Sequence, residues 1–346
     1  MLKKLKNMVY KIMRNRWSFR LIGIGLFVLI LLNIDLSEAW QTLRNVDLFY
    51  ILLSLLFQAL GLVFATIRWQ LIMQKLDIRI PFSRTFVHQL IGTAAALVTP
   101  GQVGEFVKVL YHRREGFSIL ESILSVLLDR LFDLVMLLLF GFLALVILFG
   151  VPTNLAIILA IGALVVFVLV FFFFRYRKES SQWIANGLAW LTPKAYKGTM
   201  KKEALQLAGR IGEFNIVFVF LCVFLTVVNY SFLLLRIYAL VLALQLDVPF
   251  WYFAMVVPLL RLVGLIPISV LGIGTRDITA IYLFGQVGVP ASSSVLVSTL
   301  GLISVQVQTL VGLLAWWRDP LSVRRQSVQP FDQATIPENK AIYPGK

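Results

Sequence analysis

The chain is poor in cysteine, histidine and acidic residues. It contains one Cys, two His, and 17 Asp and Glu against 32 Lys and Arg in 346 residues. With Cys222 alone, neither an internal disulfide nor a thiolate metal cluster can form. The two His and the scattered acids lack the spacing of metal ligands, so we predict neither a metal nor another cofactor.

Charged residues are few as well, at 14% of the chain, whereas 59% of the residues are hydrophobic and the mean hydropathy is +0.87. Soluble domains carry about 25% charged residues. The net charge of +15 would fit a nucleic-acid partner, but the basic residues lie between long apolar runs, so we predict no nucleic-acid binding. The composition therefore predicts an all-α, polytopic membrane bundle.

Six apolar runs are long enough to cross a bilayer, because about 20 apolar residues in a helix span roughly 30 Å of hydrocarbon. The runs cover residues 21–34, 48–66, 119–149, 154–174, 214–244 and 291–317. The first run could instead be a signal-peptide core, with Ser37-Glu38-Ala39 as a weak cleavage site. Trp17 and Phe19 extend it towards spanning length, which favours a retained span.

Basic residues concentrate in two of the segments between these runs. Residues 68–84 carry four basic residues against one acidic, and residues 175–210 carry eight against two. Segments 33–47, 150–153 and 245–249 have no such excess. The positive-inside rule then places the first two segments and both termini on the cytoplasmic side of a cell (inner) membrane.

The two ends of the chain differ from the predicted transmembrane domain, residues 21–317. Residues 1–20 carry seven basic residues and no acidic one, with apolar residues at helical spacing. They form either an amphipathic helix on an anionic leaflet or a simple topology signal. Residues 318–346 are polar and contain proline, which predicts a disordered cytoplasmic tail.

If the six spans cross the membrane in alternating directions, segment 81–110 begins and ends on the cytoplasmic side. Segment 250–288 begins and ends on the outer side. We interpret them as re-entrant helical hairpins, one from each face; the alternative is two ordinary crossings and a different count. Paired broken segments point to a transporter's substrate site, because irregular backbone at membrane depth must be buried in protein or line a cavity. The interrupting residues are Pro100, Gly101, Gly104, Pro267, Gly272 and Gly274.

Charged residues interrupt the apolar segments too. Asp129, Arg130 and Asp133 lie within the run 119–149, where each charge near the bilayer centre costs roughly 2.5–3.5 kcal/mol. Such groups do not persist facing lipid. They either neutralise one another and tie helices together, or they serve a function.

The hairpins carry charges beside their turns. Glu105 lies near the turn of the first, and Arg276 with Asp277 follows Gly274 in the second. A helix N-terminus beside an arginine is a seat for an anion such as phosphate. The alternatives are that Glu105 caps a helix, and that Arg276 pairs with Glu105 or Asp129 across the two hairpins.

Five short motifs follow one another in the chain: Arg68-Trp69, Thr99–Lys108, Arg113–Gly116, Asp129–Asp133 and Pro267–Asp277. Together they resemble the lysylphosphatidylglycerol synthase transmembrane-region family of flippase-like membrane domains. The sequence departs from that family's pattern at four positions: Gln102 and Lys108 stand where the family often has Arg, and Asp129 and Asp277 stand where it has Glu.

The resemblance implies movement of an anionic or modified lipid between leaflets. Lipid aminoacylation is not implied, because the soluble transferase half of some members has no counterpart after the last run. On this hypothesis four arginines hold the lipid phosphate: Arg130, Arg236, Arg261 and Arg276. Four acids orient those arginines or take up protons: Glu105, Asp129, Asp133 and Asp277. His88 and His112 are interpreted as structural, with a proton relay as the alternative.

Two other classes of function remain open on the sequence. The protein could be a non-transport scaffold for a glycosyltransferase or a lipid-modifying enzyme, as the basic N-terminus and basic loop suggest. It could also be a membrane enzyme acting on a polyprenyl-phosphate lipid through Asp129 and Glu105. The short outer loops offer no metal or exposed general base, so we predict no enzymatic activity.

Overall fold

The computed structural model describes residues 29–30, 32, 36–150, 214–265 and 272–318. Within these ranges the chain is helical, without a strand. The helices are α1 (Leu36–Arg44), α2 (Leu48–Lys75), α3 (Phe82–Val98), a 3₁₀ helix (Pro100–Phe106), α4 (Val107–Arg114), α5 (Ile119–Phe149), α6 (Ile216–Ala243), α7 (Phe250–Leu265), α8 (Thr275–Gly285) and α9 (Ala291–Arg318).

Four of these helices, α2, α5, α6 and α9, have the length and the apolar composition needed to cross a membrane. Large apolar side chains, including Leu52, Phe224 and Leu310, are exposed along them, as expected of a surface that faces lipid. Four of the six predicted spans are therefore confirmed. The runs 21–34 and 154–174 lie wholly or largely outside the described residues, as do the basic N-terminus, the basic loop and the tail.

The spanning helices begin where polar side chains cap them. Asp47 Oδ1 accepts a hydrogen bond from Phe49 N at 2.9 Å at the start of α2, and Asn215 Oδ1 accepts one from Phe218 N at 2.8 Å at the start of α6. Each cap satisfies a backbone amide that has no partner inside the helix. Gly150 ends α5 in the left-handed region, at φ 59°.

Helix α2 is longer than the sequence predicted. It continues to Lys75 and buries Arg68 and Trp69 completely, whereas the sequence analysis placed Arg68 at the start of a cytoplasmic loop. A charge usually marks the end of an apolar run, but the charge of Arg68 is neutralised inside the bundle by Asp129 and Asp133. Without Arg68 the segment 69–84 still has three basic residues against one acidic, so the predicted orientation is unchanged.

The first predicted hairpin folds back on itself as two antiparallel helices, α3 and α4, joined by the 3₁₀ helix. A Cβ on Gly104 would lie 2.1 Å from the Ala95 carbonyl oxygen, so only glycine permits this approach near the turn. Further from the turn, the His88 ring lies 4.9 Å from that of Tyr111. The helical hairpin is thus confirmed, while its entry into a bilayer stays a prediction.

The second hairpin consists of α7 and α8. The rings of Phe253 and Phe284 stack with centroids 6.4 Å apart, and Tyr252 donates a hydrogen bond to the Leu283 carbonyl. Nearer the turn, Gly272 and Gly274 have φ values of 77° and 84°, in the left-handed region that favours glycine. Pro267 lies outside the described residues.

Helix α9 contacts both hairpins. Gly312 packs against the backbone of Leu90 in α3, where an added Cβ would lie 2.5 Å from the carbonyl oxygen. Ser298 hydrogen-bonds to Arg276 and Asp277 of α8. The two contacts are about 21 Å apart along the α9 axis, so the hairpins approach this helix at different depths.

Candidate functional site

Arg68 is the centre of a charged cluster inside the bundle. Its Nε donates to Asp129 Oδ1 at 2.8 Å and its Nη1 donates to Asp133 Oδ1 at 2.7 Å. Nη1 also donates to Thr226 Oγ1 at 2.9 Å, and Nη2 to the Asp129 carbonyl at 3.3 Å. The guanidinium is fully buried and joins α2, α5 and α6.

Arg130 extends this cluster to the turn of the first hairpin. Its Nε lies 2.8 Å from Glu105 Oε2, and its other nitrogens lie 3.3 Å from Asp129 Oδ2 and 3.4 Å from Asp133 Oδ2. Glu105 also binds the buried Lys108 ammonium, which donates to Gln89 Oε1 at 2.7 Å. Six charged residues, named here the balanced cluster, therefore form one network: Arg68, Glu105, Lys108, Asp129, Arg130 and Asp133.

The balanced cluster has three positive and three negative side chains, so its formal charge is zero. Its three acids hold the guanidinium of Arg130, which is the geometry expected if they orient that arginine. The same geometry fits a purely structural cluster that ties helices together. A neutral network is the arrangement in which ionisable groups are tolerated at membrane depth.

Two members of this cluster were missed as site residues by the sequence analysis. Arg68 stands at the start of a predicted loop, and Lys108 differs from the family motif without being a predicted site residue. The available signal was the apolar run around Arg68, which continues through Ile72 and Met73 to Lys75. The partners of a buried charge lie 61 and 65 residues away in sequence, so spacing alone could not have identified them.

Arg276 and Asp277 lie at the start of α8, as predicted. Asp277 Oδ2 accepts from Gly274 N at 2.9 Å, and Oδ1 accepts from Ser298 Oγ. Arg276 donates from Nε to Ser298 Oγ at 3.0 Å and from Nη2 to the Ser298 carbonyl at 2.8 Å. Arg276 therefore pairs with neither Glu105 nor Asp129, and the two hairpins carry separate polar sites.

Arg236 lies about two turns before the end of α6 and is 6% exposed. Its Nη1 donates to Ser304 Oγ at 2.6 Å and to the Gly301 carbonyl at 3.3 Å, while its Nε has no hydrogen-bond partner among the described residues. The described charged side chains that act on it are Arg261 and Arg276, both of the same sign. Within the described part of the chain, Arg236 is thus a buried cation without a counter-charge.

Arg261, in α7, completes what we name the arginine group: Arg236, Arg261 and Arg276. Its side chain is exposed, and its guanidinium lies 6.0 Å from the centroid of the Tyr230 ring. Among the residues that the structure describes, no carboxylate lies within 4.0 Å of any of these three guanidinium groups. Of the four arginines predicted to hold phosphate, Arg130 forms ion pairs with described carboxylates and the other three form none within 4.0 Å. Asp277 nevertheless acts electrostatically on Arg276, and Arg261 acts on Asp133.

Exposure of charged side chains separates this region from an ordinary lipid-facing bundle. The side chains of Arg130 and Asp133 are 37% and 26% exposed, although they lie in a spanning helix. Charged side chains in such helices face the bundle interior or a water-filled cavity. A surface cleft of about 510 Å³ lies elsewhere and includes no member of either group; its lining residues are Gln74, Arg79, Ile80 and Pro81.

His112 is buried at the open end of the first hairpin, outside the four spanning helices. Its ring stacks on Trp69 at 5.3 Å, and neither ring nitrogen has a hydrogen-bond partner within the described ranges. Burial lowers the pKa of His112 to about 3, and the neighbouring His88 and Lys108 act in the same direction. The ring is therefore neutral near pH 7, which favours the structural interpretation over a proton relay.

The fold and its intramembrane charges define a multi-pass helical membrane protein. The sequence matches the lysylphosphatidylglycerol synthase TM region family over residues 19–312, so the chain belongs to that family. It is similar to a UPF0104 membrane protein of Pyrococcus horikoshii, with 26% identity over 313 residues that cover 84% of this chain and 93% of that protein. No solved structure matches the chain.

Proposed function

We propose that this protein is a lipid translocase that moves a lipid with an anionic head group between leaflets without covalent chemistry. The observation that carries the proposal is Arg236, a cation buried in a spanning helix whose hydrogen-bond partners among the described residues are Ser304 Oγ and the Gly301 carbonyl. Leaving a buried charge without a partner is costly. An anionic ligand at this place would supply the missing charge.

A lipid phosphate has the chemistry that fits the arginine group. A guanidinium offers a planar fork of donors that can bind two phosphate oxygens at once. Arg276, which contacts Ser298 of α9, adds a second fork. Arg261 is exposed and could attract an incoming anion. A phosphate joined to acyl chains could occupy this polar site while its chains stay in the surrounding lipid.

On this proposal the balanced cluster positions the first hairpin rather than holding phosphate. Arg130 links the hairpin turn at Glu105 to α5, and Arg68 links α5 to α2. Because its charges already cancel, the cluster has little demand for a further anion. Arg130 alone, being partly exposed, could exchange Glu105 for a passing phosphate.

We further propose a cell-membrane location with both termini cytoplasmic, as the distribution of basic residues indicates. The competing scaffold hypothesis rests on the basic N-terminus and basic loop, both outside the described residues. It requires no free cation inside the bundle. The two hypotheses therefore differ on whether the charge at the arginine group is needed for lipid movement or affects only the stability of the protein.

The test is lipid movement in liposomes that contain the purified protein and an acyl-labelled phosphatidylglycerol. A membrane-impermeant reductant bleaches only the outer leaflet, about half of the label. We expect bleaching to exceed that half with the protein present, and Arg276→Gln to slow it strongly. Arg79→Gln is the matched control, because this side chain is 83% exposed and lies between helices.

A well-folded protein that bleaches only the outer half would contradict transport of this lipid. Equal rates of lipid movement for Arg276→Gln and Arg79→Gln would show that Arg276 does not bind the lipid phosphate. Co-purification of a glycosyltransferase together with absent lipid movement would favour the scaffold hypothesis.

A further inference from the structure

Helix α1 is attached at its two ends to two different spanning helices. Near its start, Glu38 Oε2 accepts a hydrogen bond at 2.5 Å from the hydroxyl of Ser292, which is in the first turn of α9. Just after its end, the Asn45 carbonyl accepts one at 3.2 Å from Gln245 Nε2, which follows α6. Helix α1 therefore connects the start of α9 with the end of α6.

These attachment points lie at one end of the bundle. Asp47 N, just before α2, donates at 3.0 Å to the carbonyl of Ala243, the last residue of α6. Val46 packs against an apolar cluster that contains Val248, which follows α6, and Val289, which precedes α9. Helix α1 thus crosses the end of the bundle at which α2 begins, which is the outer end on the proposed topology.

One side of α1 is apolar and faces away from the protein. Trp40 and Leu43 are three residues apart and so lie on the same side of the helix, where they are 58% and 36% exposed. Glu38 and Gln41 fall on the opposite side, since successive residues are rotated by about 100°. The Arg44 guanidinium lies 5.4 Å from the centroid of the Trp40 ring. The helix is therefore amphipathic, with a cation beside its exposed aromatic ring.

The apolar side of α1 is followed directly by lipid-facing surface. The first two turns of α2 expose Leu48, Phe49 and Leu52, by 72%, 64% and 66%, on a helix long and apolar enough to span a membrane. Three residues separate α1 from α2. Tryptophan is favoured at the boundary between head groups and acyl chains, and an arginine there can reach the lipid phosphates.

We propose that α1 is an interfacial helix that binds the phospholipids of one leaflet, the outer leaflet on the proposed topology. Trp40 and Leu43 enter the boundary between head groups and acyl chains, Arg44 contacts lipid phosphates, and Gln41 faces water. The hydrogen bond between Glu38 and Ser292 then holds the start of α9 at the membrane surface. This role does not depend on lipid movement by the bundle, so it goes beyond the proposed function.

The test is spin labelling of the full-length protein in liposomes of phosphatidylcholine and phosphatidylglycerol. Nitroxides are attached to Leu43→Cys and to the matched Gln41→Cys, and to Leu52→Cys as a reference inside a spanning helix. Collisions are measured with oxygen, which concentrates among acyl chains, and with a water-soluble nickel chelate on both sides of the membrane. Cys222 is fully buried, and the unaltered protein treated with the same label measures any background.

We expect the ratio of oxygen to nickel collisions to be several-fold higher for Leu43→Cys than for Gln41→Cys, and to approach that of Leu52→Cys. Equal ratios at positions 43 and 41 would overturn the inference, because α1 would then lie in water. Few collisions of the Leu43→Cys label with either reagent would overturn it too, since protein would then cover the apolar side. Trp40→Cys repeats the measurement on the same side if Leu43→Cys does not fold.

Discussion

Arg68 and Arg236 are both arginines buried in spanning helices, and their surroundings differ completely. Arg68 is bound by two carboxylates, a hydroxyl and a carbonyl, whereas Arg236 is bound by one hydroxyl and one carbonyl. Burial of Arg68 is compatible with folding because the protein's own carboxylates neutralise it. We propose that Arg236 is neutralised by its ligand. The two residues should therefore respond in opposite ways to loss of charge.

Arg68→Gln should destabilise the protein by about 3–5 kcal/mol, because it leaves Asp129 and Asp133 without their main buried partner. Arg236→Gln should change stability little or raise it, since it removes a cation for which the described residues supply no acidic partner. Thermal unfolding in detergent without added lipid measures both. A greater loss for Arg236→Gln than for Arg68→Gln would show that Arg236 is structural.

Stability should fall as the pH is lowered from about 6.5 towards 4 through the effect of His112. Its folded-state pKa of about 3 lies below the unfolded value of 6.5, so the unfolded chain binds more protons in this window and is favoured by acid. His112→Phe, which keeps the stacking on Trp69, should flatten that dependence. An unchanged slope of unfolding temperature against pH would contradict the assignment of a buried neutral ring.

At this scale the sequence identified most of the charged site, because charges in apolar runs are conspicuous. It could not distinguish Arg130 from Arg236, since the distinction depends on which acids lie across the bundle. The sequence also misplaced Arg68, because its two carboxylate partners are distant in the chain. A buried arginine at the end of an apolar run looks like the first residue of a loop unless its carboxylate partners are known.

The helices and hairpins were more predictable than the contacts. Four spans follow from the length of their apolar runs. The first hairpin follows from Pro100 and Gly104, which interrupt a segment that has basic residues on both flanks. The ends were less accurate, as α2 shows by continuing to Lys75. The contacts of α9 with both hairpins were not predictable. A serine such as Ser298 gives no indication in the sequence of which residues it binds.

Gly104→Ala should disrupt the turn of the first hairpin, because its Cβ would lie 2.1 Å from the Ala95 carbonyl oxygen. The backbone must then separate, and the link between Glu105 and Arg130 should weaken. We expect a lower unfolding temperature and slower lipid movement. Gly285→Ala is the matched control, since no atom lies within 4 Å of its added Cβ. Equal stability of the two variants would contradict the described turn.

Along the described spanning helices, apolar side chains such as Leu52 and Phe224 are exposed, while Arg68, Asp129 and Arg236 are buried among apolar residues. This arrangement is expected in a bilayer, where apolar surface can face lipid and charges are tolerated in the bundle interior. Family membership and a helical bundle with four described spans agree with it. The orientation in the membrane and the cell-membrane location remain predictions from the basic loops.

Orientation can be tested by cysteine labelling, because the natural Cys222 is fully buried and should not react. Arg79→Cys and Asp247→Cys place a thiol at opposite ends of the spanning helices. An impermeant thiol reagent added to intact cells should label Asp247→Cys and spare Arg79→Cys. Labelling of Arg79→Cys alone would invert the proposed topology.

The measurement that tests the central claim most directly is phosphatidylglycerol movement by Arg236→Gln and Arg236→Lys in liposomes, beside the unaltered protein. If Arg236 binds the lipid phosphate, Arg236→Gln should lose most of the activity while its folding is intact, on the order of a hundredfold for a lost charge-assisted contact of about 2–3 kcal/mol. Arg236→Lys, which keeps the charge but not the fork, should retain part of it. Full activity of a folded Arg236→Gln protein would contradict the account.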